Sequence, residues 1–191
     1  MKTIIYGDSL AGNYGIAPLK AWSQIIAEED SSNSIKVVFR NGFTTSDLLE
    51  GLSRDVLAHL PDRVYFICGT NDALKMKNVT TIVERIRFMA AEITRSGAEP
   101  IYLIPPQLDV KEVSRCYGDP PAQVEASDKI ISELRSVIRD NLSGFKVIDL
   151  EGVRQDYLHL NLANNMKAYC DGIHFLASFQ QYLAGRIMDK I

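Results

Sequence analysis

The hydrophobic positions of the chain alternate between short continuous apolar runs and longer stretches with a helical period. Five runs are short and rich in Val, Ile, Tyr and Phe, which is typical of strands buried on both faces of a parallel sheet. The predicted strands are residues 3–6, 35–39, 63–68, 100–104 and 146–150. Strands that alternate with helices predict an α/β fold: a three-layer α/β/α sandwich around a central, mainly parallel sheet of about five strands.

Between these runs, apolar residues recur three or four positions apart and predict five amphipathic helices. Their apolar faces carry Ile16, Leu19, Trp22 and Ile26; Leu48, Leu52, Val56 and Leu60; Ile82, Ile86, Met89 and Ile93; Ile131, Leu134, Ile138 and Leu142; and Leu176, Phe179, Leu183 and Ile187. Thr44 and Asp47 have the spacing of a capping box before the second helix. Gly97 is expected to end the third helix, and Gly144 follows the fourth.

Composition and charge narrow the classes of function. A chain of 191 residues, with 46% hydrophobic and 24% charged residues and neither repeats nor linkers, predicts one globular domain over residues 1–191. The net charge of −3 and the scattered Lys and Arg residues argue against nucleic acid as a partner. No run approaches the ~18–20 apolar residues of a membrane span, and no signal-peptide pattern begins the chain, so a cytoplasmic protein is expected.

The cysteine pattern also favours a cytoplasmic protein. Cys68, Cys116 and Cys170 cannot all pair within one chain and form no C-x-x-C motif, so free thiols in a reducing cytoplasm are expected.

Ligands of parallel α/β sheets bind beyond the carboxyl ends of the strands, which directs attention to the segments that follow them. After the first strand, Gly7 permits a tight departure and Ser9 falls between strand end and helix start. Backbone N–H groups and the positive end of a helix favour a developing oxyanion there. On this segment alone, Asp8 or Ser9 as a helix cap is favoured over Ser9 as a nucleophile.

Nucleotide-binding motifs fit this segment poorly. Gly7 and Gly12 have P-loop spacing, but Asn13 and Tyr14 replace the required Lys-Ser/Thr pair, and no G-x-G-x-x-G is present. Ala11 stands where the G-x-S-x-G elbow needs its second glycine. No nucleotide cofactor is therefore predicted.

Three further segments follow predicted strands. Gly42 lies in a turn where its N–H is able to approach a substrate, although a turn needs glycine for structural reasons too. Asn71 offers a side-chain N–H donor at the sheet edge, and its segment also has the composition of an ordinary turn. Residues 105–123 hold four prolines and predict a long loop, either a functional lid or a surface insertion.

Asp171 and His174 stand three residues apart just before the last helix. In a turn, this spacing lets the carboxylate reach imidazole Nδ1–H, so that Nε2 faces outward as a general base. A helix-start Asp beside a packed His is an equally good interpretation of the pair alone. His59 and His159 lie in helical segments and are expected to be structural.

Four ordered blocks make the joint pattern more specific than its parts. The blocks are Gly7-Asp8-Ser9-Leu10, Gly42, Gly69-Thr70-Asn71-Asp72 and Asp171-Gly172-Ile173-His174. Together they resemble the SGNH hydrolase family, also called GDSL esterases and lipases, whose fold is flavodoxin-like. The resemblance extends from residue 5 to the last helix.

This resemblance implies a serine esterase that cleaves carboxylic esters of small molecules through an acyl-enzyme intermediate. It implies that Ser9 is the nucleophile, His174 its base and Asp171 the residue that orients the base. The oxyanion hole would comprise the Ser9 N–H, the Gly42 N–H and the Asn71 side chain. No cofactor is implied, and the His and Cys spacing suggests no metal site.

Alternatives stay open at this point. A carbohydrate O-acetyl esterase, a lysophospholipase or thioesterase, and a catalytically silent binding module all suit the same fold. Cys68 and Cys170 adjoin the blocks, and small buried packing is favoured over a Cys nucleophile for both. No block was identified after the fourth strand, so the contacts of residues 105–123 and the oligomeric state are not predicted.

Overall fold

The computed structural model describes residues 1–30, 33–141 and 145–189. Five strands form one sheet in the order β2-β1-β3-β4-β5, and all four pairings are parallel. The strands are β1 (Lys2–Gly7), β2 (Ser34–Phe39), β3 (Arg63–Ile67), β4 (Glu99–Ile104) and β5 (Lys146–Asp149). The predicted α/β fold and its five-stranded parallel sheet are thereby confirmed.

Helices cover both faces of this sheet. They are α1 (Trp22–Glu29), α2 (Thr45–Asp55), α3 (Thr70–Leu74), α4 (Val79–Arg95), α5 (Val110–Tyr117), α6 (Pro121–Asn141), α7 (Leu150–Leu160) and α8 (Ala177–Met188). Successive strand residues point to opposite faces of the sheet and so enter two apolar cores. Ile5 and Ile67 belong to the core on the side of α1, α7 and α8. Ile4 and Phe66 belong to the core on the side of α2 and α4. No helix of the described ranges has both the length and the apolarity to cross a membrane.

The first and last helices are joined directly. Trp22 N–H donates to Gln180 Oε1 at 2.9 Å, and the Trp22 indole N–H donates to the Leu10 carbonyl at 2.8 Å. Trp22 and Gln180 are both buried. These bonds tie the segment after β1 to the helix that follows Asp171 and His174.

Two of the predicted helix faces include an apolar residue that lies outside the helix and is exposed. The first helix begins only at Trp22, because Pro18 starts a separate 3-10 turn and Ala21 is extended, and Leu19 is 65% exposed. Leu60 is 77% exposed in a left-handed conformation. It precedes Pro61, which disfavours the right-handed helical region for the residue before it.

The predicted helix ends are otherwise well placed. The Thr44–Asp47 capping box is present, with Asp47 N–H donating to Thr44 Oγ1 and Thr44 N–H donating to Asp47 Oδ2. Gly97 follows α4 with a φ of +91°. Leu142 and Gly144 lie outside the described residues.

The prediction of a long loop over residues 105–123 is wrong in part, because the segment contains α5. Asp109 caps this helix by accepting from Glu112 N–H, and Gly118 ends it with a φ of +76°. Buried Val113 carries the contact with α6, where Val124 is also buried. Eight residues flanked by prolines were too few to show a helical period.

The short helix α3 was not predicted, because its segment at Asn71 was interpreted as a turn. The helical segment predicted around His159 is the end of α7, which begins earlier, at Leu150, the residue predicted to end the fifth strand. Asp149 ends β5 and caps α7, since its Oδ1 accepts from Glu151 N–H at 3.0 Å.

Candidate active site

Ser9 lies directly beyond the carboxyl end of β1, an interior strand of the sheet. A Cβ on Gly7 would lie 2.5 Å from Ile67 Cγ2 and 2.7 Å from Ile67 O, so only glycine lets the chain leave the sheet this close to β3. Asp8 caps the following 3-10 turn, its Oδ1 accepting from Leu10 N–H at 2.9 Å. Asp8 is thus the cap, and the Ser9 hydroxyl is left to point into the adjoining pocket.

The structure brings Ser9 and His174 together from opposite ends of the chain. Ser9 Oγ lies 2.9 Å from His174 Nε2, and His174 Nδ1 lies 2.7 Å from Asp171 Oδ2. The turn itself orients the carboxylate, because Asp171 Oδ1 accepts the N–H groups of Ile173 and His174 at 2.9 and 2.8 Å. A hydroxyl, an imidazole and a carboxylate therefore form one continuous hydrogen-bonded chain.

The electrostatics keep Asp171 ionised. Its partial burial pushes the pKa of the Asp171 carboxyl upward, but hydrogen bonds from His174, Ile173 and Tyr117 outweigh this and hold that pKa well below its usual range. A carboxylate that stays charged is able to fix the imidazole tautomer and to stabilise an imidazolium.

Three donors surround the same pocket as Ser9. The φ of Gly42 is +78°, a left-handed conformation that favours glycine although a Cβ there would meet open space. Among the described residues, neither the Ser9 N–H nor the Gly42 N–H has a hydrogen-bond acceptor. Asn71 Nδ2 donates to Phe43 O at 2.9 Å and to Asp8 Oδ2 at 3.4 Å, so both of its N–H groups have acceptors, and the second of these bonds is long and weak.

The pocket has a volume of about 260 Å³. Its lining includes Ser9, Gly42, Asn71 and His174 together with an apolar wall of Leu74, Val113, Val124 and Ile173. Sequence reasoning missed two residues at this site, Tyr14 and Tyr117, because neither belongs to a recognisable pattern. The Tyr14 ring stacks on the His174 ring, with centroids 3.8 Å apart and planes 22° apart, and so restricts its rotation.

The cysteines are placed differently from one another. Cys68 is buried as predicted, and burial raises the pKa of its thiol well above the usual value. The prediction that Cys170 is buried is wrong: its side chain is exposed, beside the His174 carbonyl. Partial burial and the charge of Asp171 raise the pKa of Cys170 as well. Neither thiol lines the pocket, and both are held in the weakly nucleophilic protonated form.

Comparison with known proteins agrees with this geometry. The sequence model of the GDSL-like Lipase/Acylhydrolase family matches residues 5–181. The chain belongs to this family. No curated protein matches the sequence of this GDSL-like hydrolase.

Solved structures share the fold of this GDSL-like hydrolase over nearly its whole length. A lipase/acylhydrolase from Enterococcus faecalis is 25% identical with a TM-score of 0.72, covering 100% of this chain and 95% of that chain. A G-D-S-L family lipolytic protein from Veillonella parvula is 16% identical, with a TM-score of 0.75 and coverages of 99% and 97%. The acetyl xylan esterase AlAXEase is 18% identical, with a TM-score of 0.74 and 100% coverage of both chains.

The described part of this GDSL-like hydrolase contains no cluster of three or more His, Cys, Asp or Glu residues able to hold a metal ion. The other two histidines lie away from the pocket. His59 is 2.7 Å from Lys36 Nζ at the surface, and His159 is exposed on α7.

A second carboxyl group, that of Asp8, is buried next to Ser9 in this GDSL-like hydrolase. Burial raises the pKa of Asp8 from about 3.8 to about 7; the nearby charge of Asp72 adds to the rise, and hydrogen bonds from Leu10 N–H and Asn71 oppose it. Folding therefore makes Asp8 bind its proton more tightly than the unfolded chain does.

We expect Asp8→Asn to change how stability depends on pH. In the wild type the folded state binds more protons between about pH 4 and pH 7, so its free energy of unfolding falls as pH rises through that window. Asp8→Asn has no carboxyl group there to release a proton, so its free energy of unfolding does not fall in this way. The difference between the free energies of unfolding of the variant and the wild type should therefore rise by on the order of 4 kcal/mol from about pH 4 to pH 7. Urea unfolding at several pH values measures the effect.

The matched control is Asp156→Asn, which alters an exposed carboxyl on α7. Its stability should follow the wild type at every pH. Parallel pH curves for wild type and Asp8→Asn would show that Asp8 does not take up a proton on folding.

Proposed function

We propose that this protein is a serine esterase that hydrolyses carboxylic esters through an acyl-enzyme intermediate. The observation that carries the proposal is the hydrogen-bonded chain Ser9–His174–Asp171, which opens into a pocket beside the Asn71 amide and the Gly42 N–H. Membership of a lipase and acylhydrolase family supports the same class of reaction.

In the first half-reaction, Ser9 Oγ attacks the ester carbonyl carbon while His174 Nε2 takes the hydroxyl proton. The tetrahedral oxyanion accepts hydrogen bonds from Ser9 N–H, Gly42 N–H and Asn71 Nδ2, and losing one such donor typically costs ~3 kcal/mol of transition-state stabilisation. The C–O bond then breaks, and His174 returns the proton to the departing alcohol oxygen. Asp171 stabilises the imidazolium that forms between these two transfers.

In the second half-reaction, water replaces the alcohol. His174 removes a proton from the water as its oxygen attacks the acyl carbon, and the same donors bind the new oxyanion. Collapse releases the carboxylic acid, and His174 returns a proton to Ser9 Oγ.

The test is hydrolysis of p-nitrophenyl esters together with labelling by a fluorophosphonate probe, which reacts with activated serines. We expect both from the wild type. A protein that hydrolyses no ester of a broad panel and takes up no label would be a binding module instead.

The pocket favours short acyl groups. Leu74 and Val124 form part of its apolar wall, and buried Ser127 of α6 also lines it. Within the volume of about 260 Å³ there is room for a short acyl chain beside the reacting carbonyl. The additional methylenes of a longer acyl chain would lie outside the pocket, in contact with water.

We therefore expect kcat/KM to rise from p-nitrophenyl acetate to butyrate and to stop rising before dodecanoate. Each methylene that enters an apolar site contributes ~0.8 kcal/mol, or about fourfold in kcat/KM, so the end of the rise marks the end of the pocket. Leu74→Ala enlarges the pocket, so kcat/KM should continue to rise up to a longer acyl chain in this variant. A continued rise to dodecanoate would contradict a short pocket and favour the lysophospholipase or thioesterase alternative.

A carbohydrate O-acetyl esterase is the second candidate, because polar and aromatic groups line the same pocket. Asn41, Asp119 and Gln123 stand there with the exposed rings of Tyr14 and Tyr117. Aromatic faces and amide or carboxylate groups suit a sugar ring, and one structurally similar protein is an acetyl xylan esterase. A higher kcat/KM for acetate release from acetylated xylan oligomers than from p-nitrophenyl acetate would favour this candidate.

A further inference from the structure

A tyrosine hydroxyl shares the carboxylate oxygen that orients His174. Tyr117 OH donates to Asp171 Oδ2 at 2.6 Å, and the same oxygen is 2.7 Å from His174 Nδ1. We propose that Tyr117 is a positioning residue that acts through Asp171 on His174, and that helix α5 holds it in place. This inference rests on the proposed esterase function.

Helix α5 is joined to the Asp171–His174 turn at both of its ends. Tyr117, its last residue, reaches Asp171, while at its start Asp109 N–H donates to the Gly172 carbonyl at 2.9 Å. A Cβ on Gly172 would lie 2.7 Å from both Asp109 O and Val113 N, so the turn packs with its bare backbone against the first turn of α5. Two attachments about one helix length apart fix the orientation of the turn.

The chemistry of the shared oxygen gives Tyr117 a definite effect. Burial, then the hydrogen bond to charged Asp171, raise the pKa of Tyr117, so the phenol keeps its proton and remains the donor. The bond from Tyr117 therefore fixes Asp171 Oδ2 beside His174 Nδ1, and this keeps His174 Nε2 directed at Ser9 Oγ.

Tyr14 extends the network on the solvent side. Its ring stacks on the His174 ring, and after burial and Asp171 its presence raises the pKa of Tyr117 further. The Cys170 thiol is also close to Asp171, and partial burial together with the carboxylate charge raises the pKa of that thiol. Among the described residues, the hydrogen bonds to Asp171 come from His174, Ile173 and Tyr117, and the Tyr117 hydroxyl is the donor supplied from outside the turn.

Tyr117→Phe tests the proposal because it removes only the hydroxyl from a residue that is 44% exposed, so the fold is not at risk. We expect kcat for p-nitrophenyl acetate to fall about 10-fold, the scale of a hydrogen bond to a charged group, with KM changed less than about twofold.

Two comparisons separate positioning from other roles. Tyr182→Phe removes a hydroxyl from a half-buried residue of α8 outside the pocket and should leave both kcat and KM unchanged. In an Asp171→Asn background, Tyr117→Phe should change kcat less than about twofold, because the group through which it acts is gone.

Two results would overturn the inference: an unchanged kcat in Tyr117→Phe, or a full tenfold loss that persists in the Asp171→Asn background. The second would place Tyr117 in direct contact with substrate. Both presuppose an active wild type, so they are distinct from failure of the esterase proposal, which an inactive and unlabelled wild type would show.

Discussion

Ser9→Ala should lower kcat for p-nitrophenyl acetate by about 10⁴- to 10⁶-fold and abolish labelling by a fluorophosphonate. Loss of the nucleophile of a serine hydrolase removes covalent catalysis as a whole, and the oxyanion donors alone retain only a small part of the rate. Ser9 is 8% exposed and its hydroxyl bonds His174 rather than supporting the turn, which Asp8 caps. Alanine therefore fits without altering the backbone.

Two serines serve as controls for this variant. Ser53→Ala changes an exposed position of α2, and Ser127→Ala changes a buried hydroxyl that lines the same pocket. Both should keep the fluorophosphonate label, Ser127→Ala with an altered KM. Retention of a tenth or more of kcat by a folded Ser9→Ala protein would refute the nucleophile assignment.

His174→Ala should lower kcat by roughly 10³-fold or more at neutral pH, because Ser9 then lacks a base and the leaving alcohol lacks an acid. The backbone bonds from Ile173 and residue 174 to Asp171 Oδ1 do not need the imidazole, so the turn should persist. Added imidazole should restore part of kcat by entering the space beside the Tyr14 ring.

The chain offers matched histidines for comparison. His59→Ala and His159→Ala alter surface positions and should keep the wild-type kcat. A kcat for His174→Ala within tenfold of the wild type, or an equal loss in either surface variant, would refute the assignment of His174 as the base.

The sheet and the blocks around it were predictable because their signals are local. Each strand is a short apolar run with turn residues behind it, and the three-residue spacing of Asp171 and His174 is enough for one turn to orient both. That Ser9 would meet His174 followed only from the rule that carboxyl ends of parallel strands share an edge, together with the family resemblance.

What escaped prediction depends on contacts between distant segments. Tyr117 lies 54 positions from Asp171, on a helix too short to show a period between prolines. Tyr14 follows a recognisable block, but its stacking on His174 depends on how two loops meet. The exposure of Leu19 and Leu60 reflects the prolines beside them, which end the helical pattern that their spacing suggested.

The hydrogen bond between Ser9 and His174 spans 165 positions of sequence, and the Trp22–Gln180 bond spans 158. On a ribosome, a nascent chain that has emerged only through α7 already contains all five strands and Ser9, but not yet His174. Under the proposed mechanism, hydrolysis therefore begins only after the segment that carries His174 and α8 has been synthesised and has packed beside α1.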